Sequence, residues 1–86
     1  MQTTIEAIKA DIAAALGYDP KNPPVQIDDK QASLALGVKA STLAVWRSTG
    51  RYNLPFMKIG RLTRYRVSDL AEFLARRTSG HTGKGL

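Results

Sequence analysis

Apolar residues first recur at spacings of three and four: Ile5, Ile8, Ile12 and Leu16. That period predicts an amphipathic helix over 3–17. Thr3, with Glu6 three positions on, offers a capping box at its start, and Gly17 suits a left-handed stop. The pattern then breaks at YDPKNPP, residues 18–24, where three prolines in seven residues exclude a helix and favour an extended linker. Helical spacing returns in DDKQASLALGVKASTLAVWRSTG, residues 28–50. Asp28 is placed to cap a first helix with Gln31 as its reciprocal partner, and Ile27 with Ala32 makes a small hydrophobic staple. Gly37 separates this helix from a second, running from about Ala40 to Ser48 and stopping at Gly50. On the second helix Leu43 and Trp46 share one face, while Ser41, Ala44, Val45 and Ser48 share the opposite one.

Beyond Gly50 the period shortens. Phe56 to Ile59 and Thr63 to Val67 are strand-like, joined by a turn at Gly60-Arg61-Leu62, with Pro55 just before the first strand. Ile59, Tyr65 and Val67 are expected to face the core, and Arg64 and Arg66, which flank Tyr65, to share the other face. Ser68 is placed to cap a last helix, with Asp69 at its positive end and Arg76-Arg77 at its negative end. Leu70, Phe73 and Leu74 form its apolar stripe. Residues 78–86, TSGHTGKGL, have no apolar period and read as a disordered tail. The expected architecture is mainly α with a small β-hairpin wing: a winged helix-turn-helix over 25–77, preceded by an extra helix and a linker.

Charge sharpens this picture. Residues 1–38 hold three lysines against five acids, net −2, and residues 39–77 hold nine basic residues against two acids, net +7. Lys84 completes the overall +6. A basic half joined to a mildly acidic half is the footprint of a polyanion-binding surface. A second helix with a slim, uncharged outer face suits the major groove.

The same residues carry a resemblance. Ala32, Leu36-Gly37-Val38, Ser41-Thr42-Leu43, Trp46 and Gly50 are followed in register by Pro55, Gly60-Arg61, Tyr65 and Ser68-Asp69-Leu70. This ordered set resembles the small winged helix-turn-helix domains related to MerR, which include excisionases of phage and mobile elements and AlpA-like regulators. The family usually has Ser or Thr before the second helix, where this chain has Lys39. The resemblance implies binding of double-stranded DNA through the recognition helix (Lys39, Ala40, Ser41, Ala44, Val45, Arg47, Ser48). It also implies contacts from the wing and its flank (Arg51, Lys58, Arg61, Thr63, Arg64, Arg66). Its implied partners are neighbouring copies of the chain on DNA and a site-specific integrase.

Two functional classes follow. The first is a DNA-binding protein, an excisionase-like architectural factor or a small transcriptional regulator. The second is an adaptor using its basic face on an acidic protein. Catalysis is not expected: the single histidine is His81 in the tail, and the acids sit mostly at helix starts. With no cysteine, neither a disulfide nor a thiolate metal site is available, and no metal or cofactor is expected. The absence of cysteine and of an apolar run of spanning length fits a cytoplasmic protein, and the resemblance implies association with the bacterial nucleoid. Trp46, opposite Val45, is expected in the core and not as a base-stacking surface.

Overall fold

A computed structural model describes residues 2–83, with side chains over 4–77. The elements run α1 (Gln2–Ala15), β1 (Gln26–Asp28), α2 (Asp29–Leu36), α3 (Ala40–Thr49), a 3-10 turn (Arg51–Asn53), β2 (Met57–Ile59), β3 (Leu62–Arg66) and α4 (Val67–Gly83). Among the described residues, four helices accompany a three-stranded antiparallel sheet of order β1-β3-β2, the architecture of a winged helix-turn-helix.

The local signals at α2 operate as read. The Gln31 amide donates to Asp28 Oδ1 at 2.7 Å, and the Asp28 amide donates to Gln31 Oε1 at 3.2 Å. Gly37, at φ 72°, ends α2 in the left-handed conformation, with the Val38 amide donating to the Ser33 carbonyl at 3.0 Å. Lys39 adopts an extended conformation before α3 but supplies no side-chain cap, as its chemistry requires.

One core unites the elements. Ile12 of α1, Ile27 of β1, Ala32 of α2, Leu43 of α3, Leu54, Tyr65 of β3, and Val67, Leu70 and Ala71 of α4 are all buried together. Ile5, Ile8 and Leu16 of α1 pack at its edge, so the apolar stripe of α1 is spent mainly against α4 within the same chain. The linker is tied down too, since Gln31 Nε2 donates to the Tyr18 hydroxyl at 2.9 Å.

Several boundaries differ from the sequence reading. Thr3 lies inside α1, which begins at Gln2, and is not its cap. Ser68 lies inside α4, because the helix starts at Val67 directly where β3 ends. The backbone of 78–83 continues α4 to Gly83 in place of the expected irregular tail, so Arg76 and Arg77 are not in its last turn; residues 84–86 lie outside the described residues. The strand β1 was not anticipated. It pairs Ile27 with Tyr65, and three residues are too few to show an alternation.

The hairpin loop is two residues, Gly60 and Arg61, because Ile59 pairs with Leu62. Gly60 at φ 62° supplies the positive φ that such tight hairpins demand at the first loop position. Ile59 is half exposed (52%) and not in the core. Its pairing with Leu62 puts it on the face of the hairpin opposite the buried Tyr65.

Candidate nucleic-acid interface

Helix α3 is anchored from both flanks. On one, Trp46 is partly buried against the core and meets Tyr52 edge-on at 4.9 Å and Phe73 of α4 at 6.1 Å. On the other, Arg47 Nη1 donates to Asp29 Oδ1 of α2 at 2.6 Å and to the Tyr65 hydroxyl of β3 at 2.9 Å. Leu43 fills the space between, fully buried. These three contacts leave Ser41, Ala44, Val45 and Ser48 pointing outward, all exposed, with Lys39 and Ala40 exposed at the N-terminal end.

Arg47, expected to contact DNA, has its guanidinium bridging α2, α3 and β3 through these two hydrogen bonds, which hold α3 against its neighbours. Burial opposes its charge, but the hydrogen bonds to Tyr65 and Asp29 outweigh that and raise its pKa. Burial likewise pushes the Tyr65 phenol above its ordinary value, with Arg47 partly offsetting it.

A pH signature follows. The folded state holds the Tyr65 proton more tightly than the unfolded chain does. Its contribution to stability is therefore complete below about pH 10, the unfolded value, and is lost as pH rises through the higher folded value. Thermal melts from pH 8 to 11 should show a steeper alkaline decline for the native protein than for Tyr65→Phe. The substitution itself should cost about 1 kcal/mol at neutral pH through the lost hydrogen bond. Parallel declines would mean that Tyr65 does not carry the alkaline loss.

The outer face of α3 is chemically sparse. Val45 and Ala44 offer methyl groups suited to thymine methyls. Ser48 Oγ donates back to the Val45 carbonyl at 3.1 Å, so in this rotamer its oxygen is presented as an acceptor. No Asn, Gln or Arg stands on this face to make a bidentate base contact.

The wing divides the expected contacts into two sets. Arg64 and Arg66 do share a face of β3, as the alternation requires. Lys58 and Thr63 are cross-strand partners, with Lys58 Nζ 3.5 Å from Thr63 Oγ1, and they lie on the Tyr65 face, the side that anchors α3. Lys58 therefore does not act on the same face as Arg64, whose partner across the strand is Met57. Arg61 sits at the tip, between the exposed Ile59 and Leu62.

Sequence reasoning missed Tyr52. It adopts φ 65° in the 3-10 turn, followed by Asn53 at φ 53°, and is half exposed beside Arg51 and Arg77. An aromatic flanked by arginine in an irregular connection was the available signal. Among the described residues no group of acids, histidines or cysteines is arranged to hold a metal ion, and no helix is long and apolar enough to cross a membrane.

A helix-turn-helix whose second helix is held outward by its two neighbours, with a basic hairpin beside it, defines a DNA-binding domain of the winged type. A family model described as "Helix-turn-helix domain" matches residues 28–78, more than half of the chain, and the protein belongs to that family. No curated protein and no solved structure gave a match.

Proposed function

We propose that this protein is an architectural DNA-binding factor of the excisionase kind, loading in adjacent copies on attachment-site DNA and steering an integrase towards excision. The observation that carries the reading is the recognition face itself. Ser41, Ala44, Val45 and Ser48 give little base discrimination, whereas the half of the chain around them is net +7. Phosphate attraction then dominates affinity, and DNA shape contributes to site choice. A single domain with such a face binds weakly at physiological salt, so a functional site needs several copies whose mutual contacts raise the effective affinity.

The charge distribution supports a head-to-tail arrangement. Lys58 and Thr63, on the Tyr65 face of the wing, and Arg61 at its tip serve the DNA. Arg64 and Arg66, on the opposite face, are left to meet the exposed Glu6 and Asp11 on α1 of the next copy. A contact of this type does not close on itself and builds a row along the duplex.

The test is a footprinting titration on duplexes carrying one, two and four adjacent attachment sites, with promoter DNA as the competitor class. Per-site affinity should rise about tenfold or more from one to four sites. Equal per-site affinity on all three would exclude a cooperative row. Preferred protection of promoter DNA by a stable two-fold dimer would favour a transcriptional regulator of the same fold.

A further inference from the structure

We propose that the phosphate contacts extend beyond the recognition helix and the wing: Arg77, packed against the same Tyr52 ring as the expected flank residue Arg51, joins it in contacting the backbone of the duplex that α3 enters. The proposal rests on the DNA-binding reading and extends it to residues of the 3-10 turn and α4. Arg77 Cζ lies 4.5 Å from the centroid of Tyr52 and 4.3 Å from that of Phe73. Arg51 Cζ lies 5.3 Å from the centroid of the same Tyr52 ring. Both arginines are exposed, and among the described residues neither has a carboxylate within ion-pairing distance. Arg76, next in the chain, behaves differently, sitting 3.5 Å from Glu72.

A guanidinium laid against an aromatic face keeps its N–H rim open, and that rim is the part that matches a phosphate. The rings also restrict the side chains beforehand, so less freedom is lost on binding. Tyr52 is itself fixed. Its ring meets Trp46 of α3 and Phe73 of α4, and its backbone is held at φ 65°, a conformation that an aromatic residue adopts only where its surroundings impose it. Through Trp46 the cluster is coupled to α3, and Arg51 directly follows the Gly50 that ends that helix. The two cations therefore flank the C-terminal end of the recognition helix, where a groove-bound helix has a phosphate strand beside it. Tyr52 is a positioning residue here, acting through the arginines.

The experiment measures affinity against salt on a single-site duplex and on an unrelated duplex, using the full chain. Arg77→Gln should weaken binding to both by about fivefold at 0.15 M salt and shallow the log–log slope by about 0.9, the loss of one phosphate contact. Tyr52→Leu, which removes the ring but no charge, should weaken and shallow binding in the same direction, and Tyr52→Phe should retain the native values. Thermal melting of each variant separates these effects from a loss of fold. Native affinity and slope in Arg77→Gln would overturn the proposal while leaving DNA binding intact. A loss confined to multi-site DNA would assign Arg77 to a neighbouring copy and also overturn it. Salt-independent, negligible binding by the native chain would overturn the DNA-binding reading together with the proposal.

Discussion

Val45→Glu should abolish DNA binding while leaving the fold unchanged. Val45 is 54% exposed at the centre of the α3 outer face, so its side chain supports no core contact. Glutamate is a better helix former than valine, and an exposed substitution of this kind should shift stability by no more than about 0.5 kcal/mol. On DNA the consequence is different. The carboxylate would enter a groove walled by phosphates and lined at thymine by methyl groups and acceptors, where like-charge placement costs several kcal/mol. The expected loss is about two orders of magnitude or more in affinity, on specific and unrelated duplexes alike. An electrophoretic or fluorescence titration, accompanied by a thermal melt, measures both halves. A folded variant that binds near the native level would mean that another face of α3 meets the DNA.

Removing residues 1–24 should unfold the protein. The sequence reading places this region, an extra helix and a linker, outside the winged domain. The packing argues otherwise. Ile12 and Ala13 are buried, and Ile5, Ile8 and Leu16 cover the same core along α4. Ile12→Ala alone should cost about 2–5 kcal/mol, a large share of the roughly 5–15 kcal/mol that holds a small domain together. Truncation removes that side chain and the rest of the stripe at once. Circular dichroism melts of Ile12→Ala and of the truncated chain test this. A truncated protein melting cooperatively at the native temperature would establish 25–86 as self-sufficient. Contacts between copies are better probed by charge reversal at Glu6 and Asp11, which lie on the solvent side of α1.

What the sequence made legible were features written in local chemistry. The reciprocal pairing of Asp28 and Gln31, the glycine stops at 17, 37 and 50, and the opposition of Leu43 to Val45 all depend on residues a turn or less apart. Gly17, for instance, takes φ 87°, and the Tyr18 amide donates to the Ala13 carbonyl at 2.8 Å. Features set by distant partners were not legible. Arg47 looks like a free cation on a basic helix until Asp29 and Tyr65, each 18 positions away, are brought to it. Ile59 looks like a core strand residue until the register pairs Lys58 with Thr63 and so puts Ile59 on the face opposite Tyr65. Strand β1 exists because β3 is there to pair with it, and α4 begins at Val67 because that residue closes the core as the strand ends. The candidate DNA face was thus readable on α3 and only half readable on the wing, where cross-strand register decides which cations travel together.

We propose that the outer face of α3 and the Lys58 side of the wing meet the duplex together. Amide chemical-shift mapping during titration with a single-site duplex tests it most directly. The largest changes are expected at Ser41, Ala44, Val45 and Ser48, with a second group at Lys58, Arg61 and Thr63, and little change along α1. Changes centred on the exposed face of α1, with α3 unaffected, would contradict it.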